Sequence, residues 1–361
     1  MEAIPYKSSI LLILIIIGLI IMSFLTKKNN PDYNPNKTHH RLDGFVNRYD
    51  QLFEKHSFLK WQWDRIRDGL PKPPAEPIIG TEPDIKFIKS NHEKIAVTWI
   101  GHATVLLQIA GINILTDPHL RDRASPISFL GPKRQQPPGI PFEDLPAIHY
   151  VLISHNHYDH LDEDTVQKLM SSHKPLFLVP LGVQHWFKKN INGAIIDGDK
   201  RNVIALDWDE KYSNNNLEFH FLSVQHWSAR TPFDRCETLW GSWAVINDKF
   251  SFWFSGDLGY SKDTIDIGKR FGGFDLAAIA IGAYEPRWFM KKFHINPKES
   301  IQVMKDIGAK QAFGIHWGTF EGLTDESLDQ PEIDLVAALK DENLDFKILK
   351  HGETLLVKNQ R

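Results

Sequence analysis

Ser8 to Leu25, SSILLILIIIGLIIMSFL, is apolar or small throughout and carries no charge. At helical rise such a run spans roughly 27 Å, close to the hydrocarbon core of a bilayer. An unbroken Ile/Leu stretch leaves no polar face for water, which argues against a helix in a soluble core. A cleaved signal peptide is the rival reading, but Ser23-Phe24-Leu25-Thr26 makes a poor cleavage site. Residues 1–27 are therefore expected to form an uncleaved single-pass membrane anchor. Lys27, Lys28, Lys37 and Arg41 outnumber Lys7 across the run. The positive-inside rule then places the bulk of the chain on the cytoplasmic side.

Residues 28–90 read as a linker followed by an amphipathic, aromatic-rich piece. Asn, Pro, Lys and His dominate up to His40, and Phe45 to Ile66 then brings in Phe53, Phe58, Trp61 and Trp63. This piece suits either a membrane-surface helix or a helix packed on the following domain. PKPPAEP at 71–77 is a stiff connector, because proline fixes φ and removes amide donors.

From residue 91 the pattern changes to short β-branched and aromatic runs. KIAVTWI, TVLLQIA and NILTDP predict strands joined by tight turns at Gly101-His102 and Gly111-Ile112. Further strands are expected at 148–154, 176–180, 202–208, 217–224, 239–246, 250–255 and 275–282. Helices are expected at 162–172, at 297–307 after Asn296-Pro297, and at 331–340. Strands in clusters with interspersed helices predict mixed sheets packed together under outer helices.

Composition narrows the function. The 42 Lys+Arg against 45 Asp+Glu give a net charge of −3, without the basic excess of a general nucleic-acid binder. A single cysteine, Cys236, excludes an internal disulfide framework and a cysteine-based zinc finger. The 17 histidines are unusual, and three of them fall in Ser154-His155-Asn156-His157-Tyr158-Asp159-His160-Leu161-Asp162. Imidazole and carboxylate are the donors zinc accepts. At an extended strand end His155 and His157 project to one side, while the turn after them brings Asp159 and His160 toward a second centre. Two adjacent metals accommodate the four donors better than one. Further donors are expected from His226, Asp257 and His316, each following an apolar run beside small residues, where strand ends converge.

The pattern His-x-His-x-Asp-His, then a distant His, a Gly-Asp and a last His, resembles the metallo-β-lactamase superfamily. TWIGHATVLLQIAGINILTDP, SHNHYDHLD, QHWSARTPFDR, LWGSWAV, SGDLGY, IGAYEPRWFM, HINP and IHWGTF resemble its N-acylphosphatidylethanolamine-hydrolysing phospholipase D branch. The blocks run from about Thr98 to Phe320. The resemblance implies an αββα sandwich of two mixed β-sheets flanked by helices over 91–361. It implies two Zn2+ ions, one on His155, His157 and His226, the other on Asp159, His160 and His316, with Asp257 and a hydroxide bridging. Iron or manganese fits the same donors. Asp159 and His294 are the expected catalytic groups, and Tyr158, Gln225 and Trp227 the expected substrate contacts. Trp288, Phe289 and Trp317 suit an acyl groove or a core equally. His102 reads as a turn brace and Asp117 as a turn or supporting residue. The implied activity is hydrolysis of N-acylphosphatidylethanolamine to N-acylethanolamine and phosphatidic acid. The partners are a phospholipid, the bilayer and a second copy in a homodimer. The alternatives are a hydrolase of another phosphodiester or a lactone, and a non-catalytic metal-stabilised membrane scaffold.

Overall fold

The computed structural model describes residues 30–49, 57–70, 74, 78–214 and 216–357. The expected anchor at Ser8–Leu25 lies outside these residues, as does most of PKPPAEP. Among the described residues no helix is long and apolar enough to cross a membrane.

Two seven-stranded mixed sheets form the body. The first runs, in spatial order, Thr354–Leu356, Ala96–Gly101, Thr104–Ile109, Ile112–Thr116, Tyr150–Leu152, Leu176–Pro180 and Val203–Leu206. The second runs Lys211–Asn214, Leu217–Leu222, Ser242–Asn247, Phe250–Phe254, Phe274–Ala280, Ala309–Ile315 and Asp345–Lys347. In each sheet the first three pairings are antiparallel and the last three parallel.

Alternation along the strands explains the layering. Val97, Val105, Leu107 and Leu152 face Phe219, Phe221, Trp243, Val245 and Phe252 between the sheets. Leu106, Leu115, Val151, Phe177 and Val179 point the other way, under the helices Glu163–Ser172 and Val183–Asn190. The strands are buried on both faces, which is why they read as continuous apolar runs. Lys262–Phe271, Pro297–Asp306 and Gln330–Leu339 add Ile267, Ile301, Met304 and Leu335 to the core around the second sheet. The order is helix, sheet, sheet, helix, as the resemblance implied.

Local signals set the helix ends. The Asp162 carboxylate accepts from the Thr165 amide, and Asn296 with Glu299 forms a reciprocal capping box ahead of Pro297. The expected strand at 239–246 starts later, at Ser242, because Gly241 packs against Phe221 and the Leu222 carbonyl with no room for a Cβ. Helices at Val183–Asn190 and Lys262–Phe271 add to those expected; the second is capped by Ser261 and ends at Gly272 in the left-handed region.

The aromatic-rich piece resolves into two parts. Phe58–Asp68 is a helix capped by Ser57, with Trp61 buried and Leu59, Trp63 and Ile66 exposed. Asn30–Tyr49 is a strap against the sandwich, carrying the short pair His40–Arg41 and Gly44–Phe45. His39 and His40 donate Nε2–H to the two oxygens of buried Asp207 at 2.7 and 3.0 Å. Burial raises the Asp207 pKa, but the bonded histidines and Lys37 outweigh it and hold the group at about 2 instead of 3.8. This stabilisation is full above pH 4 and is lost as acid titrates the carboxylate down to about pH 2. Asp207→Asn is expected to lose roughly 2 kcal/mol at neutral pH. In urea unfolding the gap from wild type should close between pH 4 and 2; a gap independent of pH over that window counts against the assignment.

Candidate metal centre

The ends of the strands build the site. Asp117 follows Ile112–Thr116, His155 to His160 follow Tyr150–Leu152, Asp257 follows Phe250–Phe254, and His316 follows Ala309–Ile315. All four are C-terminal ends of strands with parallel neighbours, and the two sheets bring these ends to one edge. His226 follows Leu217–Leu222, and His294 precedes Pro297–Asp306. His102, Asp117, Ala283 and His316 are non-glycine residues held at positive φ, between 33° and 64°. Such backbone is costly and persists where the surrounding structure enforces it.

Two interlocked clusters result. His155, His157, His226 and Asp257 offer donor atoms within 4.8 Å of one another, as do His102, Asp159, His160 and His316. In the first, His155 Nε2 is 2.8 Å from His157 Nδ1, and His226 Nε2 is 3.4 Å from the same atom. In the second, His316 Nε2 is 3.1 Å from His160 Nε2 and 3.3 Å from Asp159 Oδ2. Asp257 joins them: its Oδ1 is 3.1 Å from His316, and its Oδ2 is 3.2 Å from His160, 3.7 Å from His226 and 3.8 Å from His155.

Outer contacts aim these rings. Asp117 Oδ2 takes His160 Nδ1–H at 2.7 Å, and its two oxygens take the Ser154 amide at 2.7 Å and hydroxyl at 2.5 Å. The Phe293 carbonyl takes His226 Nδ1–H at 2.9 Å. Fixing one ring nitrogen leaves the other turned inward with its lone pair available. Gly256, at φ 55°, lets the Asp257 strand end approach, since a Cβ there would stand 2.6 Å from the Ser154 Cβ. Gly256→Ala is expected to cost about 2–4 kcal/mol in a denaturant titration; wild-type stability would contradict this packing.

Charge is distributed unevenly. Burial drives His155 and His226 far below the ordinary imidazole value and His157 to about 3. Burial likewise lowers His102 to about 3 and His294 to about 4. For His316 burial also opposes charge, but Asp257 and Asp159 override it and raise the group to about 9. His160 is raised by the same carboxylates. Asp159 and Asp257 are held well below the carboxylate range, because His160 and its neighbours outweigh burial. His155, His157 and His226 are thus neutral beside ionised carboxylates, the forms that bind a cation, whereas His160 and His316 hold a proton against Asp159 and Asp257 that a cation would displace. His157 Nε2, His294 Nδ1 and His316 Nδ1 are buried without a hydrogen-bond partner. A donor set this rich in inward lone pairs fits metal ions. His39, His40 and Asp207 also lie within 4.8 Å of one another, but His40 Nδ1 accepts the Asn34 amide and both Nε2 protons go to Asp207. That cluster is a hydrogen-bonded clasp.

The centre opens into a cavity of about 810 Å3, lined by Trp61, Trp227, Phe289, Met290, Phe293 and Leu323 beside His157, Asp159, Asp257, His294 and His316. Tyr158 lines it too, with the Arg230 guanidinium 4.0 Å over its ring. Trp317 instead stacks on Trp99 in the core. Gln225, an expected substrate contact, is not among the residues lining this cavity, and its Nε2 donates to the Lys292 carbonyl at 3.1 Å. His102, a turn brace by its sequence position, also reaches the site: its Nε2 lies 2.9 Å from Asp159 Oδ2. Its Gly101-His102 turn was legible, its reach to Asp159 was not.

Residues 112–317 match the family described as the β-lactamase superfamily domain. The N-acyl-phosphatidylethanolamine-hydrolyzing phospholipase D 1 of Caenorhabditis elegans is 43% identical over 256 residues, covering 69% of this chain and 71% of that protein. Among solved structures, a possible metal-dependent hydrolase of Veillonella parvula superposes with a TM-score of 0.57 at 17% identity, over 73% of this chain and 99% of that one. The diiron β-hydroxylase CmlA of Streptomyces venezuelae superposes with a TM-score of 0.51 at 19% identity, over 74% of this chain and 55% of that one; both likenesses show the fold. On the strength of the first two matches, the chain is a hydrolase of the metallo-β-lactamase superfamily and belongs to the family of N-acylphosphatidylethanolamine-hydrolysing phospholipases D.

Proposed function

We propose that the protein is a membrane-associated, dinuclear zinc phosphodiesterase that hydrolyses N-acylphosphatidylethanolamine to N-acylethanolamine and phosphatidic acid. The supporting observation is the junction of two His/Asp clusters with a large apolar cavity. His155, His157 and His226 would hold one ion, Asp159, His160 and His316 the other, with Asp257 between them. A bound metal pair supplies a hydroxide near neutral pH and offsets the charge of a phosphodiester.

The chain's own groups do the rest. Asp159 lines the cavity and can orient the attacking water or accept its proton. His294, with Nδ1 unpartnered and 3.9 Å from Asp257, can hydrogen-bond the phosphoryl or leaving oxygen. Trp61, Trp227, Phe289 and Phe293 accept acyl chain and exclude water. Leu59, Trp63 and Ile66 stand at i, i+4 and i+7 on the helix Phe58–Asp68, exposed by 78%, 64% and 77%. Phe58 and Trp61 of the same helix line the cavity. An apolar stripe beside a lipid-sized cavity suits a protein resting on the surface that holds its substrate.

The test is turnover of N-acylphosphatidylethanolamine in vesicles by full-length protein, with metal analysis. Phosphatidic acid should appear at a rate that chelator abolishes and zinc restores. Turnover indifferent to chelator ends the proposal; restoration by iron and not zinc ends its zinc clause alone.

A further inference from the structure

His226 is gripped by a residue 179 positions earlier. Asn47 Oδ1 accepts the His226 amide N–H at 3.0 Å, and Asn47 Nδ2 donates to the His226 carbonyl at 3.0 Å. In extended backbone these two groups point the same way, at a spacing that one carboxamide spans. The side chain thus stands where a neighbouring strand would pair. Trp240 Nε1 donates to the same Asn47 Oδ1 at 3.2 Å, which fixes which end of the amide faces which group. With its main chain held by Asn47 and Nδ1 held by the Phe293 carbonyl, His226 keeps Nε2 directed at His157 Nδ1 and Asp257 Oδ2.

Asn47 is itself held in place. The Phe45 amide donates to the Cys236 carbonyl at 2.8 Å, and the Val46 amide to the His39 carbonyl at 2.9 Å. Phe45 is buried, and His39 and His40 are tied to Asp207. Gly44, at φ 149°, lets the strap lie this close: a Cβ there would stand 2.2 Å from the Cys236 carbonyl oxygen. None of Asn30–Tyr49 falls within the 112–317 that match the family domain.

We infer that Asn47 is a positioning residue for His226, so that the strap Asn30–Tyr49 completes one half of the metal centre. The inference rests on the two-metal reading above. Metal–nitrogen bonds tolerate displacements of only about 0.2 Å. Freeing the His226 main chain therefore weakens the ion on His155, His157 and His226. The hydrogen bonds of Asn47 go to His226 and Trp240, not to Asp159, His160 or His316, so an ion held by those three would keep its affinity.

The experiment compares full-length wild type, Asn47→Ala and Asn47→Asp by zinc content, by competition with a coloured zinc chelator, and by melting of the apo forms. Wild type should hold two ions. Asn47→Ala should weaken one ion about ten- to hundredfold and leave the other within about twofold, with apo melting little changed. Asn47→Asp keeps the shape and the Oδ1 acceptor but sets an oxygen against the His226 carbonyl. It should show the same selective loss, and it carries the test if the alanine variant does not fold. Unchanged affinity for both ions in both variants overturns the inference. So does equal weakening of both ions together with lower apo stability, which marks a merely structural role. Fewer than two ions in unmodified protein overturns the two-metal reading itself, a failure visible without any variant.

Discussion

Asp257→Ala is expected to lower hydrolysis of a phosphodiester by about a thousandfold or more, the largest single effect in the chain. Its oxygens face His316 and His160 at 3.1 and 3.2 Å, and His226 and His155 at 3.7 and 3.8 Å. Asp117 also lies near His155 and His160, but it takes His160 Nδ1–H from behind the ring, whereas Asp257 faces the inward Nε2 atoms of both clusters. Metal-centred stabilisation of phosphoryl charge is worth several kcal/mol, and each 1.36 kcal/mol is about tenfold in rate. Metal content should fall together with rate. His294→Ala makes the contrast, because His294 lies at the cavity wall: about a hundredfold loss in rate, with metal content retained. The checks are initial rates with saturating lipid and metal analysis on the same preparations. An Asp257→Ala protein that keeps both ions and more than about a tenth of the rate would falsify the shared-carboxylate reading.

Replacing Leu59, Trp63 and Ile66 together with Glu should leave the fold intact and separate two kinds of substrate. All three side chains are exposed, so their removal from the surface costs the sandwich little. The helix remains docked through Trp61, whose Nε1 donates to Asp325 at 2.8 Å, and through Arg65, which donates to the Gly322 carbonyl at 2.6 Å. Burial of one large apolar side chain is worth about 1.5–3 kcal/mol. Partial immersion of three gives about 3–4 kcal/mol, a factor of a few hundred in partitioning onto vesicles. Turnover of lipid in vesicles by protein truncated before Asn30, which the expected anchor cannot hold to the bilayer, should fall by about that factor. Turnover of a short-chain, water-soluble analogue should stay within about twofold of wild type, because the stripe is not part of the cavity wall. Equal loss on both substrates would show that the substitutions disturb the site and not its approach to the surface.

The physical origin of each result bears on how much a sequence can say. Strands buried on both faces are legible as apolar runs, and the helices at Glu163–Ser172 and Pro297–Asp306 carry their caps in the sequence. His155, His157, Asp159 and His160 cluster within six positions because one turn delivers them. His226, Asp257 and His316 stand out as candidates because each follows a strand, and the structure brings all three beside the first four. The short edge strands Lys211–Asn214 and Thr354–Leu356 escaped, since their hydrogen bonds come from neighbours fixed elsewhere. The contact of His102 with Asp159 escaped for a related reason: local sequence gives a turn or a strand, not the direction in which a side chain meets a distant partner.

What the sequence by itself determined was the donor chemistry, the family and the sandwich of mixed sheets, because these follow from residue types at short spacing and from hydrophobic period. What only the tertiary structure decided was the contact of His102 with Asp159, the apolar cavity at the mouth of the clusters, and the hold of Asn47 on His226. Each of these joins residues from dozens to more than two hundred positions apart, and no local pattern encodes where such a loop will land.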